Sequence, residues 1–404
     1  MNLYDELVWR GFSAETTIKK PEDLNSRTSK KFYLGADPSA DSLTIGNLAA
    51  LMMAACFVRH GYQPYLLVGG ATGQIGDPKD TGERELKPLE EVAHNKACIS
   101  AQMQRIVKAD NLQMVDNYDW FKDIKYLDFL REVGKSFSMT QLLDRQFIQT
   151  RIGEGGSGIS YAEFSYTLIQ GYDFLHLYRQ HGIDLQLCGA DQFGNCASGI
   201  HLIKRLESAE ADVWSTPLII DPVSGRKFGK SEGNAVWLDS KQTSVFDFYQ
   251  FWLNQPDSGV ANLLKIYTVL GKDSIEDILS RHAEHPEQRI AQTALAFGAT
   301  EVVHGTANAS AAQNITEILF DNKSIDNLTE TDIANLSLLL PTFKVGSNLV
   351  DVLTQSGLAS SKTDARNLLK SGAISINFQK QPEDTQISHF AIIKRGKNKF
   401  AIVK

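Results

Sequence analysis

The stretch FYLGADPSADSLTIGN, residues 32–47, leads an apolar run directly into a turn and then into a helix start. The run from Phe32 to Ala36 predicts a buried strand, and Asp37-Pro38 is a turn signal. The apolar spacing after Ile45 predicts a helix to about Val58. A buried strand, a short turn and a helix in this order are typical of a parallel α/β sheet.

The alternation of strand and helix patterns continues to about residue 240. Strand-like runs cover 64–70, 184–188 and 217–220, and helical patterns cover 89–108 and 159–180. We therefore expect an α/β domain over 1–240 with a parallel sheet, and ligands at the carboxyl ends of its strands.

The rest of the chain has a different pattern. Residues 246–335 read as successive amphipathic helices, and 341–347 look like a linker. Two short helices, 349–355 and 362–370, then precede a β-rich end. The sequence thus predicts a helical domain with its linker over 241–340 and a small α+β domain over 341–404.

Composition excludes several classes of protein. Of the 404 residues, 42% are hydrophobic and 22% charged, which argues against disordered, collagen-like and disulfide-scaffold chains. No apolar run approaches the roughly 20 residues that span a bilayer, and no signal peptide is visible. The four cysteines show no CxxC pairing, and HExxH, GxSxG and Cys/His metal clusters are missing from the sequence. We expect a cytoplasmic protein with no membrane segment and no protein-bound metal.

The charge is uneven along the chain. The net charge is 41 − 48 = −7, yet residues 341–404 hold ten Lys/Arg and four Asp/Glu, a net of +6. A basic module on an acidic body indicates a polyanionic partner for that module. The alternative is a solvated basic tail.

Two loops at predicted strand ends offer sites for an anion or a nucleotide. Backbone N–H groups at the helix start near Thr44 favour an anion, and Gly46 leaves room for a flat ring. The alternative is that Thr44 only caps the helix. The Gly-rich segment 69–78 ends with Asp77 and Pro78, and it matches neither GxxxxGK[ST] nor GxGxxG.

Three further groups carry polar side chains. Tyr166, Gln170 and Asp173 share one helix face, which suits either a pocket for a small zwitterion or a solvent-facing stripe. Asp191 suits a ribose diol and Gln192 a carbonyl. The run Lys227-Phe228-Gly229-Lys230-Ser231 is either a loop that closes on a polyphosphate or a solvated basic turn.

Together and in this order, these segments resemble the bacterial tyrosyl-tRNA synthetases, which are class I enzymes, over essentially the whole chain. The resemblance implies a doubly wound, Rossmann-like nucleotide-binding catalytic domain, a helical tRNA-contacting domain and a small α+β S4-like RNA-binding domain. It also implies the reaction: tyrosine and ATP form tyrosyl-adenylate and pyrophosphate, and the tyrosyl group passes to the 3′ end of the cognate tRNA. A homodimer and Mg²⁺ bound through ATP oxygens are expected.

The resemblance assigns a role to individual residues. Tyr33 and Asp173 match positions that bind the substrate phenol, Asp77, Tyr166 and Gln170 match those that hold its ammonium group, and Gln192 lies near the carboxyl group. The positions matched to ATP are Gly35, Asp37, Ser39, Gly46, Gly189, Asp191, Lys230 and Ser231. Those matched to catalysis are Thr44, Asn47, Lys227 and Lys230, and those matched to RNA are Lys362, Arg366 and Lys370.

One motif departs from the family. The signature His-Ile-Gly-His is replaced by Thr44-Ile45-Gly46-Asn47. Loss of one transition-state donor costs about 2.7–4 kcal/mol, which Ser39 or a water could offset. The departure motivates one alternative, a synthetase-like paralogue that binds tyrosine or structured RNA but activates poorly. A separate alternative is an adenylate-forming enzyme for another amino acid, which predicts loss of phenolic recognition. Retention of Tyr33 and Asp173 argues against the latter.

Overall fold

The computed structural model describes residues 1–78, 85–143, 146–153, 155–221, 225, 227–228, 235–320, 325, 328–396 and 398–404. These form two compact units. The first comprises Met1–Thr243 and Gln255–Leu295, and the second comprises Ser244–Asn254 and Ala296–Lys404.

The first unit contains a five-stranded parallel sheet. Its strands are β1 (Lys31–Ala36), β2 (Gln63–Val68), β3 (Gln113–Asp116), β4 (Leu185–Gly189) and β5 (Asp212–Thr216). Their order is β3-β2-β1-β4-β5, and every pair is parallel. The chain builds outward from β1 and then crosses to its other side, so the order reverses between β1 and β4. Ligands of doubly wound sheets bind at this point, and the predicted fold class is confirmed.

Helices connect these strands and continue past them. They are α1 (Leu3–Arg10), α2 (Ile45–Arg59), α3 (Thr72–Ile75), α4 (Leu89–Ile106), α5 (Tyr118–Phe121), α6 (Tyr126–Glu132), α7 (Met139–Leu143), α8 (Gln146–Ile152), α9 (Tyr161–His181), α10 (Phe193–Glu207), α11 (Val245–Leu253), α12 (Asp257–Tyr267), α13 (Lys272–Glu284) and α14 (Ile290–His304). Of the last four, α11 lies in the second unit, α12 and α13 in the first, and the division falls within α14.

Neighbouring residues of β1 face opposite layers of the first unit. The Phe32 ring packs against Phe57 of α2 at 5.6 Å between centroids, and the Tyr33 ring against Phe174 of α9 at 5.2 Å. Burial of one such side chain contributes about 1.5–3 kcal/mol. Because side chains alternate along a strand, Tyr33 and α9 lie on the same face of the sheet.

The second unit contains a small sheet between two layers of helices. Its strands are β6 (Thr342–Phe343), β7 (Ile374–Ile376), β8 (Gln379–Lys380), β9 (Ala391–Arg395) and β10 (Lys399–Val403), in the order β6-β10-β9-β7-β8. Its remaining helices are α15 (Thr306–Phe320), α16 (Glu330–Leu339), α17 (Leu349–Gln355) and α18 (Lys362–Lys370). Ile374 and Ile393 pack against α17 and α18, whereas Ile392 and Ile402 share a core with α11, α15 and α16.

Two element predictions are wrong. The strand expected at 217–220 is β5 at Asp212–Thr216, because Pro217 has no N–H to continue the ladder while Val213 and Trp214 supply the buried side chains. The expected linker 341–347 contains β6, which pairs in parallel with β10. The boundaries 1–240, 241–340 and 341–404 stay predictions.

Membrane-spanning helices are not found: among the described residues, no helix combines the length and the apolar character that crossing a bilayer needs.

Candidate active site

The loops after β1, β2 and β3 meet through a chain of hydrogen bonds. Thr72 Oγ1 donates to Asp37 Oδ1 at 2.7 Å, and Asn117 Nδ2 donates to Thr72 Oγ1 at 3.1 Å. Ala71 N–H donates to Asn117 Oδ1 at 2.7 Å. Since Thr72 and Asn117 are buried, these bonds fix the position of Asp37 at the carboxyl edge of the sheet.

The glycines of segment 69–78 permit this close approach. A Cβ on Gly69 would lie 2.0 Å from Thr72 Oγ1, and one on Gly70 would lie 2.3 Å from Asp116 Oδ1. Any residue larger than glycine at position 69 or 70 would therefore clash with these side chains.

Helix α9 presents its polar face to the same edge. Tyr166 OH donates to Asp37 Oδ2 at 2.8 Å. Asp173, two turns later, accepts from Asn117 Nδ2 at 3.1 Å and from Trp120 Nε1 at 3.0 Å. Tyr166 and Asp173 are 5% and 2% exposed, so a solvent-facing stripe is wrong for this pair.

Two buried polar atoms beside this cluster have no hydrogen-bond partner among the described residues. They are Tyr33 OH and Gln170 Oε1. Gln170 Nε2 faces Cys196 Sγ at 3.7 Å. A buried unsatisfied polar group costs about 1–3 kcal/mol, and such groups call for an explanation. A hydroxylic ligand that pairs with Tyr33 would provide one.

The electrostatics show that these side chains share one site. Burial raises the pKa of the Tyr33 phenol well above its usual value, and Cys196 and Asp173 raise it further. Burial also raises the pKa of Tyr166, with added contributions from Asp37, Asp77 and Asp173. Three carboxyl groups thus act on one phenol, an arrangement that favours a cationic group between them.

The pKa of Asp173 is set by opposing causes. Burial raises it well above the usual range, and the carboxyl groups of Asp37 and Asp116 add to the rise. The hydrogen bonds from Asn117 and Trp120 lower it, because they stabilise the charged form. These two donors therefore oppose the effect of burial and favour the charged form of Asp173.

A second cluster joins the end of the Gly-rich segment to the start of α10. Asp77 accepts from Gln192 Nε2 at 2.8 Å and from Asn195 Nδ2 at 3.3 Å. Thr167 Oγ1 of α9 donates to Asn195 Oδ1 at 3.2 Å. Asp77 and Gln192, which are far apart in sequence, therefore lie together beside α9.

Thr44 and Asn47 interact with each other at the start of α2. Asn47 Oδ1 accepts from both the backbone N–H and the hydroxyl of Thr44, each at 3.1 Å. Thr44 is the N-cap residue and is buried, whereas Asn47 is exposed. Thr44 thus occupies the N-cap position considered for it, and the Asn47 side chain accepts from its backbone N–H.

The start of α2 also contacts the segment that holds the two lysines. A Cβ on Gly46 would lie 2.6 Å from the carbonyl oxygen of Phe228. Ile45 N–H donates to Val236 O at 3.0 Å, on the far side of that segment. Residues 44–47 and the described residues 227–228 are therefore neighbours.

The remaining residues matched to ATP and catalysis lie at the outer edge of the site. Gly35, Ser39 and Asp191 are exposed, and a Cβ on Gly189 would lie 2.8 Å from Asp191 Oδ1. Lys227 is exposed, and its backbone forms an isolated antiparallel β-bridge with Ile220. Lys230 and Ser231 lie outside the described residues.

Sequence reasoning missed Thr72, Asn117, Trp120 and Asn195. Asn117 and Trp120 follow β3, a short strand of partly exposed residues that the hydrophobic pattern did not reveal. Their position directly after a strand was the available signal, because polar residues at strand ends of a parallel sheet face the ligand site.

The basic residues of α18 lie in the second unit. Lys362, Arg366 and Lys370 are exposed, while Ala365 and Leu369 are buried against the small sheet. Lys362 Nζ lies 2.7 Å from Asp351 Oδ1. The helix thus presents a cationic face to solvent.

One group of side chains away from the site has the composition of a metal centre. Glu6, Cys56 and His60 bring their ligand atoms within 4.8 Å of one another. However, Glu6 already accepts from Arg10 at 2.7 Å and Arg59 at 2.8 Å. Burial raises the pKa of Cys56 to about 12, which disfavours a thiolate ligand. The group does not fit a bound cation.

Comparisons with known proteins identify relatives along the whole chain. A family model described as class I tRNA synthetases (W and Y) matches residues 25–321, and one described as a tyrosine–tRNA ligase SYY-like C-terminal domain matches 332–403. A tyrosine–tRNA ligase of Levilactobacillus brevis is 40% identical over 420 residues, covering 100% of this chain and 99% of that protein. One from Latilactobacillus sakei is 39% identical, with the same coverage. A truncated mitochondrial tyrosyl-tRNA synthetase of Aspergillus nidulans matches with a TM-score of 0.70 at 27% identity, over 79% of this chain and 94% of that one.

Proposed function

Because the chain belongs to the tyrosine–tRNA ligases, a family of class I tRNA synthetases, we propose that its tyrosine pocket is the cluster formed by Tyr33, the polar face of α9 and the loops after β2 and β3. The chain activates tyrosine with ATP and transfers the tyrosyl group to tRNA. The proposal concerns which residues perform each step.

The observation that carries the proposal is the unpaired hydroxyl of Tyr33 close to the doubly hydrogen-bonded Asp173. A phenol is both a donor and an acceptor. It would donate to Asp173 and accept from Tyr33. Phenylalanine would leave both groups buried and unpaired, and tyrosyl-tRNA synthetases are the standing example of rejection by this means.

The other end of the amino acid meets the remaining polar groups. Asp77, Tyr166 and Gln170 lie where an ammonium group would be attracted by three nearby carboxyl groups. Gln192, which donates to Asp77, would contact the carboxyl group that reacts. The substrate thus extends from Asp173 towards the start of α10.

Adenylate formation needs alignment more than a nucleophilic side chain. The tyrosine carboxylate attacks the α-phosphorus of ATP, and the bond to pyrophosphate breaks. The N–H groups at the start of α2, Asn47, Lys227 and Lys230 would stabilise the departing charge. Gly35, Asp37, Ser39, Gly46, Gly189, Asp191 and Ser231 would surround the nucleotide.

Mg²⁺ would enter with ATP and neutralise phosphate charge. In the described part of the site, Asp37, Asp77 and Asp173 each accept hydrogen bonds from neighbouring side chains. This donor set fits a metal held through ATP oxygens better than a dedicated carboxylate cage.

The pocket assignment is tested by Asp173→Ala. The variant leaves the substrate phenol and the Trp120 indole without an acceptor and removes one of the two acceptors of Asn117 Nδ2, so the tyrosine KM should rise at least tenfold. Tyrosine-dependent pyrophosphate exchange at varied tyrosine measures it, with Asp5→Ala on the exposed surface of α1 as the control. An unchanged KM would remove Asp173 from the pocket.

A second candidate function is motivated by the hydrogen bond between Thr44 and Asn47. A hydroxyl engaged in that bond is a poorer transition-state donor, which favours a paralogue that binds tyrosine but activates it slowly. The retained phenol, ammonium and carboxyl contacts support the active enzyme.

The C-terminal part would bind tRNA through α18. Its exposed Lys362, Arg366 and Lys370 suit an RNA backbone, and the segment 341–404 has a net charge of +6. The helices predicted over 241–340 would contribute further tRNA contacts.

A homodimer is supported by exposed apolar side chains in the first unit. Tyr126 and Leu127 of α6 are 61% and 75% exposed, and Tyr126 OH donates to the hydroxyl of Tyr161, also 61% exposed. Large apolar side chains exposed near one another are typical of protein interfaces. Sedimentation should give a dimer for the wild type and a monomer for Leu127→Asp. A wild-type monomer would refute this part of the proposal.

The place of action is proposed to be the cytoplasm. All four cysteines are free thiols, and Cys56, Cys188 and Cys196 are buried. Free thiols of this kind are typical of a reducing compartment.

A further inference from the structure

The hairpin between β7 and β8 has an unusual turn residue. Ile376 pairs with Gln379, so the loop consists of Asn377 and Phe378 alone, with φ of 51° and 66°. Two-residue loops with positive φ at both positions strongly favour Asn followed by Gly. Phe378 therefore occupies a backbone conformation that a residue with a Cβ rarely adopts.

The contacts of Asn377 explain its own conformation but not that of Phe378. Asn377 N–H donates to Ile392 O at 2.9 Å, and Ile392 N–H donates to Asn377 Oδ1 at 2.8 Å. Phe378 is 40% exposed and is absent from both apolar cores of the second unit, as far as the described residues define them. A strained side chain that packing does not repay points to a function.

Lys394 lies beside the Phe378 ring. Lys394 Nζ is 5.7 Å from its centroid and 5.4 Å from that of Phe400. Cross-strand pairing places Lys380, Ser375, Lys394 and Phe400 in one row across the sheet. Ile374 and Ile393 alternate with this row and pack against α17 and α18, so the row lies on the opposite face. Phe400 is buried there in the core shared with α15 and α16, whereas Phe378 and Lys380 are exposed at the β8 edge.

We propose that Phe378 is a base-stacking residue that binds one unpaired RNA nucleotide, with Lys380 and Lys394 contacting the adjacent phosphates. Sites that bind single-stranded RNA combine exposed aromatic rings with cationic side chains, and the β8 edge offers both in Phe378 and Lys380. The net charge of +6 in 341–404 selects a polyanion over a neutral partner.

The inference rests on the proposed tRNA role of the C-terminal part and adds a different mode of recognition. The face of α18 reads the RNA backbone, whereas Phe378 contacts a base. Because the two lie on opposite sides of the sheet, the RNA would have to reach around its β8 edge.

The test is Phe378→Gly in the full chain, with binding measured on an unmodified transcript of the cognate tRNA. Loss of one stacked base should weaken binding roughly five- to hundredfold. The slope of log K against log salt should not change, because no cation is removed, whereas Arg366→Ala should reduce it by about one. Phe378→Trp should retain wild-type affinity.

Thermal unfolding separates stacking from a structural role. Glycine suits the positive φ, so Phe378→Gly should unfold at the wild-type temperature or above it. If Phe378→Gly unfolds at a lower temperature than the wild type and Phe378→Trp also binds tRNA weakly, Phe378 is a structural residue and the proposal is overturned. Unchanged tRNA affinity in Phe378→Gly while Arg366→Ala binds weakly would overturn stacking alone. If neither variant weakens binding, the tRNA role of the C-terminal part fails as well.

Discussion

Asp173 depends on two donors that hold its carboxyl group in a dry site. Asn117 and Trp120 oppose the effect of burial on its pKa. Both are positioning residues in this account, because they act on tyrosine through Asp173. Removing either side chain should therefore shift the pH dependence of tyrosine binding.

Trp120→Phe should raise the pKa of Asp173 further, since one stabilising hydrogen bond to the charged form is lost. The protonated carboxyl group is a weaker acceptor for the phenol than the carboxylate, so the tyrosine KM rises as pH falls. This rise should begin at a higher pH than in the wild type, and the KM at neutral pH should increase about tenfold.

The measurement is the KM of tyrosine-dependent exchange between pH 5 and 9. Trp9→Phe, a partly exposed tryptophan of α1, is the matched control. If the KM of Trp120→Phe differs from that of the wild type by the same factor at every pH, the indole does not act through the pKa of Asp173.

The polar groups of this pocket were only partly predictable from sequence. Tyr166, Gln170 and Asp173 could be grouped because helical spacing fixes a common face. The hydrogen bonds from Thr72, Asn117 and Trp120 depend on how three separate loops meet, and no local pattern encodes that. The N-cap position of Thr44 could be predicted, because the preference of threonine for that position is a local property of the sequence.

Helix α2 and the segment around Phe228 form the second part of the site. Their contact is made possible by Gly46, whose missing side chain admits the Phe228 carbonyl group. The first helical N–H group, that of Ile45, is bonded to Val236 O in the same contact. Gly46 therefore serves the packing of α2 against this segment, and its place beside the nucleotide stays a proposal.

Gly46→Ala should displace the Phe228 backbone, because the new Cβ would lie 2.6 Å from its oxygen. We expect the rate of adenylate formation to fall at least tenfold while the affinity for tyrosine, measured by equilibrium dialysis, changes less than twofold. Ala50→Gly, in the next turn of α2, controls for helix propensity. Equal losses of rate and affinity would contradict this separation.

Secondary structure was most predictable where burial and local signals agreed. The first residues of α17 and α18 follow from their N-caps, Asn348 and Ser361, and the helices themselves from their apolar spacing. Strand β6 has the sequence pattern of a linker because only two of its residues pair, and its partner β10 lies at the far end of the chain. Such a pairing is decided by tertiary contacts.

The second unit affects how the tRNA role can be tested. Ile392 and Ile402 of the small sheet share a core with Ile315 and Leu336 of the preceding helices. Deleting residues 341–404 would expose that core, so loss of activity in a truncated chain would be ambiguous. Surface substitutions on α18 avoid this problem.

Arg366→Ala together with Lys370→Ala should weaken aminoacylation and spare adenylate formation. Each lost phosphate contact lowers tRNA affinity most at low salt, so the KM for tRNA should rise at least tenfold at 50 mM salt. Lys344→Ala and Lys404→Ala give a control with the same charge change. Equal loss of pyrophosphate exchange would refute the modular account.

Adenylate formation by the unmodified chain is the most direct test of the central claim, that this pocket selects tyrosine and activates it with Thr44 in place of histidine. We predict ATP–pyrophosphate exchange that requires tyrosine and is not supported by phenylalanine. Tyrosine binding without exchange in the wild type, with exchange gained in Thr44→His, would contradict the account and identify a binding paralogue.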